Sequence, residues 1–220
     1  MPVLSDKVIH RLTLYHCILK YTLINQDRVS SFEIANLLGL DNSQVRKDIA
    51  LCGVLGHKKQ GYNSTELKLA IEQKLGFKET KEVFIIGAGH LGTALANYTD
   101  FKDYGIDILC LLDNNPNKIG KEINGKKVLP LEDLQSLISR VNTKNIILAV
   151  PAKQAQAVTD YAVQCGAQFI WNFTPTVLKI PKNVMVYYEN IISSFMQMYK
   201  EPINHKHTIF SRLKIMKGHK

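Results

Sequence analysis

Residues 83–92 constrain the fold of this chain more than any other stretch. A short apolar run, Val83-Phe84-Ile85-Ile86, leads straight into Gly87-Ala88-Gly89-His90-Leu91-Gly92. This is G-x-G-x-x-G between a buried strand and a helix, the context in which each glycine has its own job. Gly87 permits the tight turn, Gly89 lets the backbone approach a pyrophosphate, and Gly92 lets the helix pack close to the strand. The unpaired N–H groups of the helix start then face the phosphates. A second element supports the first. Asp113 lies 21 residues after Gly92, at the end of the next predicted strand. A carboxylate about 20 residues on is placed to accept hydrogen bonds from an adenosine ribose. It repels a 2′-phosphate, which favours NAD(H) over NADP(H), while Lys118 and Lys121 in the following loop soften that preference. The competing reading is that Asp113 only opens an Asp-Asn-Asn-Pro turn.

The surrounding pattern alternates. Strands are expected at residues 82–86, 106–112, 145–150 and 168–171, with helices at 92–99, 131–140 and 154–165 between them. Such alternation predicts a parallel sheet covered on both faces. The residues after Trp171 supply only a terminal strand and helix, so no separate substrate domain is left. His90, His205, His207 and His219 are not placed like a general acid in such a domain, and glycosidase, nucleophile-elbow and metal motifs are absent. A cofactor site without chemistry beside it points to a sensor. No catalytic residue and no metal ligand is assigned.

The first 80 residues follow a different period. Val8, Leu12, Tyr15 and Leu19 recur at helical spacing over residues 6–22. Ser30, with Glu33 three residues on, is a capping box for a short helix that Gly39 stops. Asp41-Asn42-Ser43-Gln44 starts a second helix, carried on by Val45, Ile49 and Cys52. Two short helices joined in this way make a helix-turn-helix candidate. Ser43, Gln44, Arg46 and Lys47 are assigned to the exposed face of the second helix, near the end that meets base edges in such motifs. Residues 53–62 form a basic ribbon with Lys58, Lys59 and Tyr62, the kind that lies along a phosphate backbone in a winged helix. One more helix, over residues 65–75, is capped by Ser64 or Thr65, and residues 77–81 are a linker.

Charge agrees with this reading without compelling it. The 220 residues carry a formal net charge of +9. Residues 1–80 hold 11 Lys/Arg against 8 Asp/Glu, residues 81–190 hold 11 against 10, and residues 191–220 hold 6 against 1. Much of the excess therefore sits in the tail. Cys17, Cys52, Cys110 and Cys165 form no C-x-x-C pair, so reduced thiols are expected. No apolar run approaches the ~18 residues of a membrane span. Nor does the N-terminus join a basic region to an apolar one, so the expected location is cytoplasmic.

These residues together resemble a known family, the redox-sensing transcriptional repressors called Rex. Gln44-Val45-Arg46-Lys47-Asp48, followed by Gly53-x-x-Gly56 and Gly61-Tyr62, is similar to the family's recognition helix and wing. Gly87-x-Gly89-x-Leu91-Gly92-x-Ala94-Leu95-x-Asn97-Tyr98 is similar to its cofactor loop and first Rossmann helix. Val150-Pro151 and Asn172-Phe173-x-Pro175-x-Val177-Leu178-x-Ile180-Pro181 are similar to its later strand ends. The resemblance implies a homodimer that binds a palindromic double-stranded operator, with NADH opposing tight DNA binding and NAD+ permitting it. It implies that Tyr98 lies near the nicotinamide, that Arg46 and Lys47 contact DNA, and that a C-terminal helix is swapped between partners. The family often pairs an arginine on the first helix with an aspartate at the start of the swapped helix, where this chain aligns Cys17 and Asn190. Lys59 stands where a glycine is common, and the tail after Tyr199 contains Pro202.

The sequence thus predicts a winged helix-turn-helix domain over residues 1–80, a Rossmann-type NAD(H)-binding domain over 81–190, and a dimerising helix with a basic tail over 191–220. The alternatives are an NAD-dependent oxidoreductase with an accessory N-terminal domain, and a repressor of this type that is insensitive to NADH.

Overall fold

A computed structural model describes residues 4–57 and 60–197, and the predicted wing lysines Lys58 and Lys59 and the basic tail after Tyr199 lie outside the described residues. The chain divides into two compact units, with the break between Lys78 and Glu79.

The first unit is a helical cluster. Helix α1 (Asp6–Cys17) continues into a single wider π-helical segment, Ile18–Thr22. Leu12, Tyr15 and Leu19 of the predicted stripe are buried, Val8 is only partly buried, and Ile18 is buried beside them. Strand β1 (Arg28–Val29) precedes α2 (Ser31–Leu38). Ser30 Oγ accepts the Glu33 N–H at 3.0 Å, which fixes the α2 start. Helix α3 (Asn42–Ala50) begins where the Asp41 carboxylate accepts the N–H groups of Ser43 at 2.8 Å and Gln44 at 3.2 Å. Strand β2 (Tyr62–Asn63) pairs antiparallel with β1, Val29 opposite Tyr62. Helix α4 (Ser64–Leu75) follows, and its cap is Asn63 rather than Ser64 or Thr65: the Asn63 side chain accepts the Glu66 N–H at 2.9 Å. Ile34, Val45, Ile49, Leu67 and Ile71 close one core between the helices.

The second unit is a doubly wound sheet. Strand β3 (Lys81–Ile86) is followed by α5 (His90–Ala96), a 3-10 segment (Thr99–Tyr104) and β4 (Ile106–Asp113). Next come β5 (Glu122–Ile123), β6 (Lys126–Pro130), α6 (Leu134–Val141), β7 (Asn145–Leu148) and α7 (Ala152–Gln164). Strands β8 (Phe169–Asn172) and β9 (Met185–Tyr188) and helix α8 (Ile191–Gln197) complete the described chain. The order is β5-β6-β4-β3-β7-β8-β9, parallel except at the β5–β6 hairpin. That hairpin is absent from the sequence expectation, although Asn124-Gly125 between its strands is a hairpin-turn dipeptide. Helix α5 starts two residues earlier than expected, so His90, Leu91 and Gly92 already form its first turn.

Helices α6 and α7 bury one face of the sheet through Phe84, Ile86, Leu112, Leu148, Leu137 and Ala155. On the other face α5 and the 3-10 segment cover Val83, Ile85, Ile108 and Leu111. Among the described residues no helix lies between β8 and β9 to extend that cover. Phe169, Met185 and Tyr187 stay exposed there, around a shallow depression that Val83, Ile147 and Trp171 also line.

Candidate functional site

The strand order reverses at β3, which has β4 on one side and β7 on the other. Ligands of open parallel sheets bind outside the carboxyl ends of the strands at this point. A cleft of about 230 Å³ lies there, walled by Gly87, Gly89, Asp113, Lys118, Val150 and Pro151, with Gln154 at the start of α7. Gly87 has φ +108°, and a Cβ on it would strike the Ala149 carbonyl. A Cβ on Gly92 would strike the Gly87 carbonyl, so both glycines are required by the protein's own packing. Gly89 differs: a Cβ there would meet nothing within 4 Å. The fold does not need this glycine, and the space it leaves opens on the cleft. An uncovered backbone in a glycine loop fits a pyrophosphate.

Asp113 ends β4 and is only 8% exposed. Its Oδ2 accepts the Ala88 N–H at 2.8 Å and the Lys118 ammonium at 2.9 Å, and its Oδ1 accepts the Asn115 N–H at 2.9 Å. Burial raises its pKa. The hydrogen bonds from Lys118, Asn115 and Ala88, with the Lys118 charge, outweigh that and hold the carboxyl below its usual range. The carboxylate therefore stands ionised at the cleft wall and ties the glycine loop to the end of β4.

The structure brings Gly87, Gly89, Asp113, Val150 and Pro151 together at the cleft, with Ala88 bonded to Asp113. His90 is exposed, while Leu91 and Gly92 sit in the first turn of α5. Tyr98 is not brought to the cleft within one chain. It lies beyond the other end of α5, 53% exposed, with its ring edge-on to Phe101 at 4.9 Å. Lys118 and Gln154 are cleft residues that the sequence pattern did not assign. The sequence marked Lys118, with Lys121, only as a loop charge that softens the NAD(H) preference, and Gln154 carries no local signal.

On the first unit, Ser43, Arg46 and Lys47 lie exposed along α3. The Ser43 hydroxyl donates to Asp41. Gln44 is turned inward, and its Nε2 donates to Asp48 Oδ1 at 2.9 Å. The cause is Asp48, 1% exposed, which gathers Arg11 at 2.6 and 2.8 Å and the Tyr15 hydroxyl at 2.8 Å as well. Burial pushes the Asp48 pKa up, but these donors prevail and hold it low. Burial and Asp48 together push the Tyr15 phenol upward. Tyr62, expected on the DNA face, is in the core instead. Its pairing with Val29 in β2–β1 turns the ring inward, where it lies under Gly56. The ribbon before it closes through reciprocal backbone bonds between His57 and Gly61, and Arg28 Nε holds the Gln60 carbonyl at 2.9 Å.

A helix-turn-helix unit joined to a doubly wound sheet with a dinucleotide-type glycine loop defines a class: proteins that couple a nucleic-acid-binding module to a nucleotide-binding one. Residues 4–50 match a family model described as "putative DNA-binding protein N-terminus", and residues 78–176 match one described as "CoA binding domain". The chain is 38% identical to the redox-sensing transcriptional repressor Rex of Treponema denticola, over 85% of this chain and 90% of that protein. It is 40% identical to the protein of the same name from Roseiflexus, over 83% and 84%. Among solved structures it is similar to RSP, a Rex-family repressor. The complex of RSP with NAD+ and operator DNA matches at TM-score 0.81 and 34% identity, over 99% of each chain. The RSP–NADH complex matches at TM-score 0.79 and 34% identity, over 90% of this chain and 94% of that one. The chain belongs to the Rex family.

Proposed function

We propose that this chain is a homodimeric transcriptional repressor that binds a palindromic operator through its first unit and is released when NADH occupies the cleft of its second. The observation that carries the cofactor is the bare backbone at Gly89 beside the ionised Asp113. Coenzyme A bears a ribose 3′-phosphate, which Asp113 would repel, so the matched "CoA binding" description marks the fold. Gly87, Ala88 and Gly89 would hold the pyrophosphate, Asp113 the adenosine ribose, and Val150 and Pro151 the far wall, with His90, Leu91 and Gly92 setting the helix start. Tyr98 would reach the nicotinamide only in the dimer. The dinucleotide supplies a ring whose redox state is the signal.

Arg46 and Lys47, with Ser43, would meet base edges, and Lys58 and Lys59 the phosphates as a wing. Support for the dimer is the uncovered part of the sheet with exposed Phe169, Met185 and Tyr187, together with exposed Ile191, Ile192, Phe195 and Met196 on α8. Exposed apolar groups in such number mark an interaction surface. Among the described residues no helix is long and apolar enough to cross a membrane. A cytoplasmic location is supported by the relatives named as transcriptional repressors, which act where the DNA is. The oxidoreductase alternative gives way to the family, whose matched members are named repressors.

Selection from a random duplex library, then anisotropy titration at several NADH/NAD+ ratios, tests this reading. A palindrome should be enriched and NADH should weaken its binding. A non-palindromic preference, or release by NAD+ equal to that by NADH, would refute it.

A further inference from the structure

The acceptor positions on Asp113 are nearly all in use. A carboxylate offers about four lone-pair sites. Ala88 N–H and the Lys118 ammonium occupy Oδ2, and Asn115 N–H occupies one site on Oδ1. A single site remains, whereas a ribose diol brings two hydroxyl donors. The two backbone donors are fixed by the glycine loop and the turn after β4. Lys118 is the donor that can leave, because its side chain is flexible and about a third exposed. Lys118 also lines the cleft, whereas Lys121 does not and is exposed.

We propose that Lys118 is a specificity residue of the dinucleotide site, setting how strictly it separates NADH from NADPH. The proposal rests on the reading of Asp113 as the ribose acceptor. With no nucleotide, Lys118 neutralises Asp113 and takes the place of a ribose donor. When a ribose diol binds, the ammonium yields that position and stays beside the carboxylate. When a 2′-phosphate is brought instead, the same ammonium is a counter-charge that Asp113 alone would deny it. Lys118 therefore costs NADH a competition and gives NADPH a partner, and both effects narrow the difference between the two.

Calorimetric titration of the full chain with NADH and with NADPH tests this. A charge-assisted hydrogen bond to a partly exposed phosphate is worth about tenfold in affinity. Lys118→Met should therefore raise the NADPH/NADH ratio of Kd about tenfold, mainly by weakening NADPH, with NADH unchanged or tighter. Lys118→Arg, which keeps the charge, should hold the ratio near that of the parent, and so should Lys121→Met. The affinity of the parent for NADPH should fall with added salt more steeply than that of Lys118→Met. Asp113→Ala separates the two ideas. If it weakens NADH while Lys118→Met leaves the ratio unchanged, the role of Lys118 is overturned and the ribose reading stands. If Asp113→Ala leaves NADH affinity unchanged, both fall.

Discussion

Two nearly buried aspartates divide the labour in this molecule, and they are built in opposite ways. Asp48 in the first unit takes its donors from side chains: Arg11 and Tyr15 on α1, and Gln44 one turn back on α3. Those donors come largely from another helix, so Asp48 pins α3 to α1 and sets the angle at which Arg46 and Lys47 face outward. Asp113 takes two donors from backbone and one from Lys118 five residues on, and its remaining side opens on a cleft. The first carboxylate is consumed by the fold, and the second keeps one side open to the cleft. Burial and a depressed pKa are common to both. They do not separate the two carboxylates; the origin of the donors and the opening on the cleft do.

The sharpest break in that comparison is a pair of alanine substitutions. Asp48→Ala removes the partner of a mostly buried guanidinium and leaves the Tyr15 hydroxyl without its acceptor. Removing one member of a buried pair costs about 3–5 kcal/mol, and the low end is expected because Arg11 can partly rehydrate. Asp113→Ala should cost about 1 kcal/mol of stability, since its backbone donors can turn to water, while NADH affinity falls. Denaturant unfolding without nucleotide measures both. The pH dependence follows from the depressed pKa of Asp48. Its contribution is complete above the unfolded value of about 3.9 and is lost as pH falls through the lower folded value. The parent should lose stability steeply below about pH 4, and Asp48→Asn should flatten that fall.

The glycines sharpen the same distinction. Gly89→Val should lower NAD(H) affinity by 100-fold or more, about 3 kcal/mol, with the unfolding temperature of the free protein unchanged, because its Cβ meets no protein atom within 4 Å. Gly92→Val should prevent the second unit from folding at all, since its Cβ meets the Gly87 carbonyl. Equal losses of stability in the two variants would mean that Gly89 serves packing and not a ligand.

Much of this was legible from the chain because the signals are local. The glycine loop, the Ser30 and Asp41 caps and the strand–helix alternation each depend on residues a few positions apart. What was not legible depends on distance. Asp48 reads as one more polar residue on α3 until α1 brings Arg11, 37 positions away, within 2.6 Å. Tyr62 looked like part of an exposed ribbon, but pairing with Val29 turns it into the core. Lys118 sits close to Asp113 in sequence. That its ammonium reaches the carboxylate, while that of Lys121 faces solvent, is a matter of how the turn after β4 folds.

A smaller effect is expected on the reading face. A bidentate arginine–base contact is worth about 1–3 kcal/mol of discrimination. Arg46→Ala should therefore flatten the contrast between the selected palindrome and random duplex. Lys58→Ala should weaken both alike and reduce the salt slope by about one. Anisotropy titrations over a range of salt separate the two, and the same loss of specificity in both variants would count against this docking.

The smallest expected effect concerns the link between the units. The family resemblance places an arginine–aspartate pair where this chain has Cys17, the last residue of α1, and Asn190, whose Oδ1 accepts the Ser193 N–H at 2.9 Å to start α8. A ligand shifts a two-state protein only through its unequal affinity for the states. A chain without a pair that supports the DNA-bound state should therefore show a smaller NADH/NAD+ contrast than a relative that has it. Asn190→Asp should keep the α8 cap, since either side chain accepts that N–H, and should change operator binding little alone. Cys17→Arg alone adds a half-buried charge and should weaken the fold. The double variant should bind the operator more tightly than the two single changes add up to, by about 1 kcal/mol of coupling, and its release should need more NADH. A cycle with no coupling would show that these two positions do not meet on DNA, and that the switch in this chain is built from other residues.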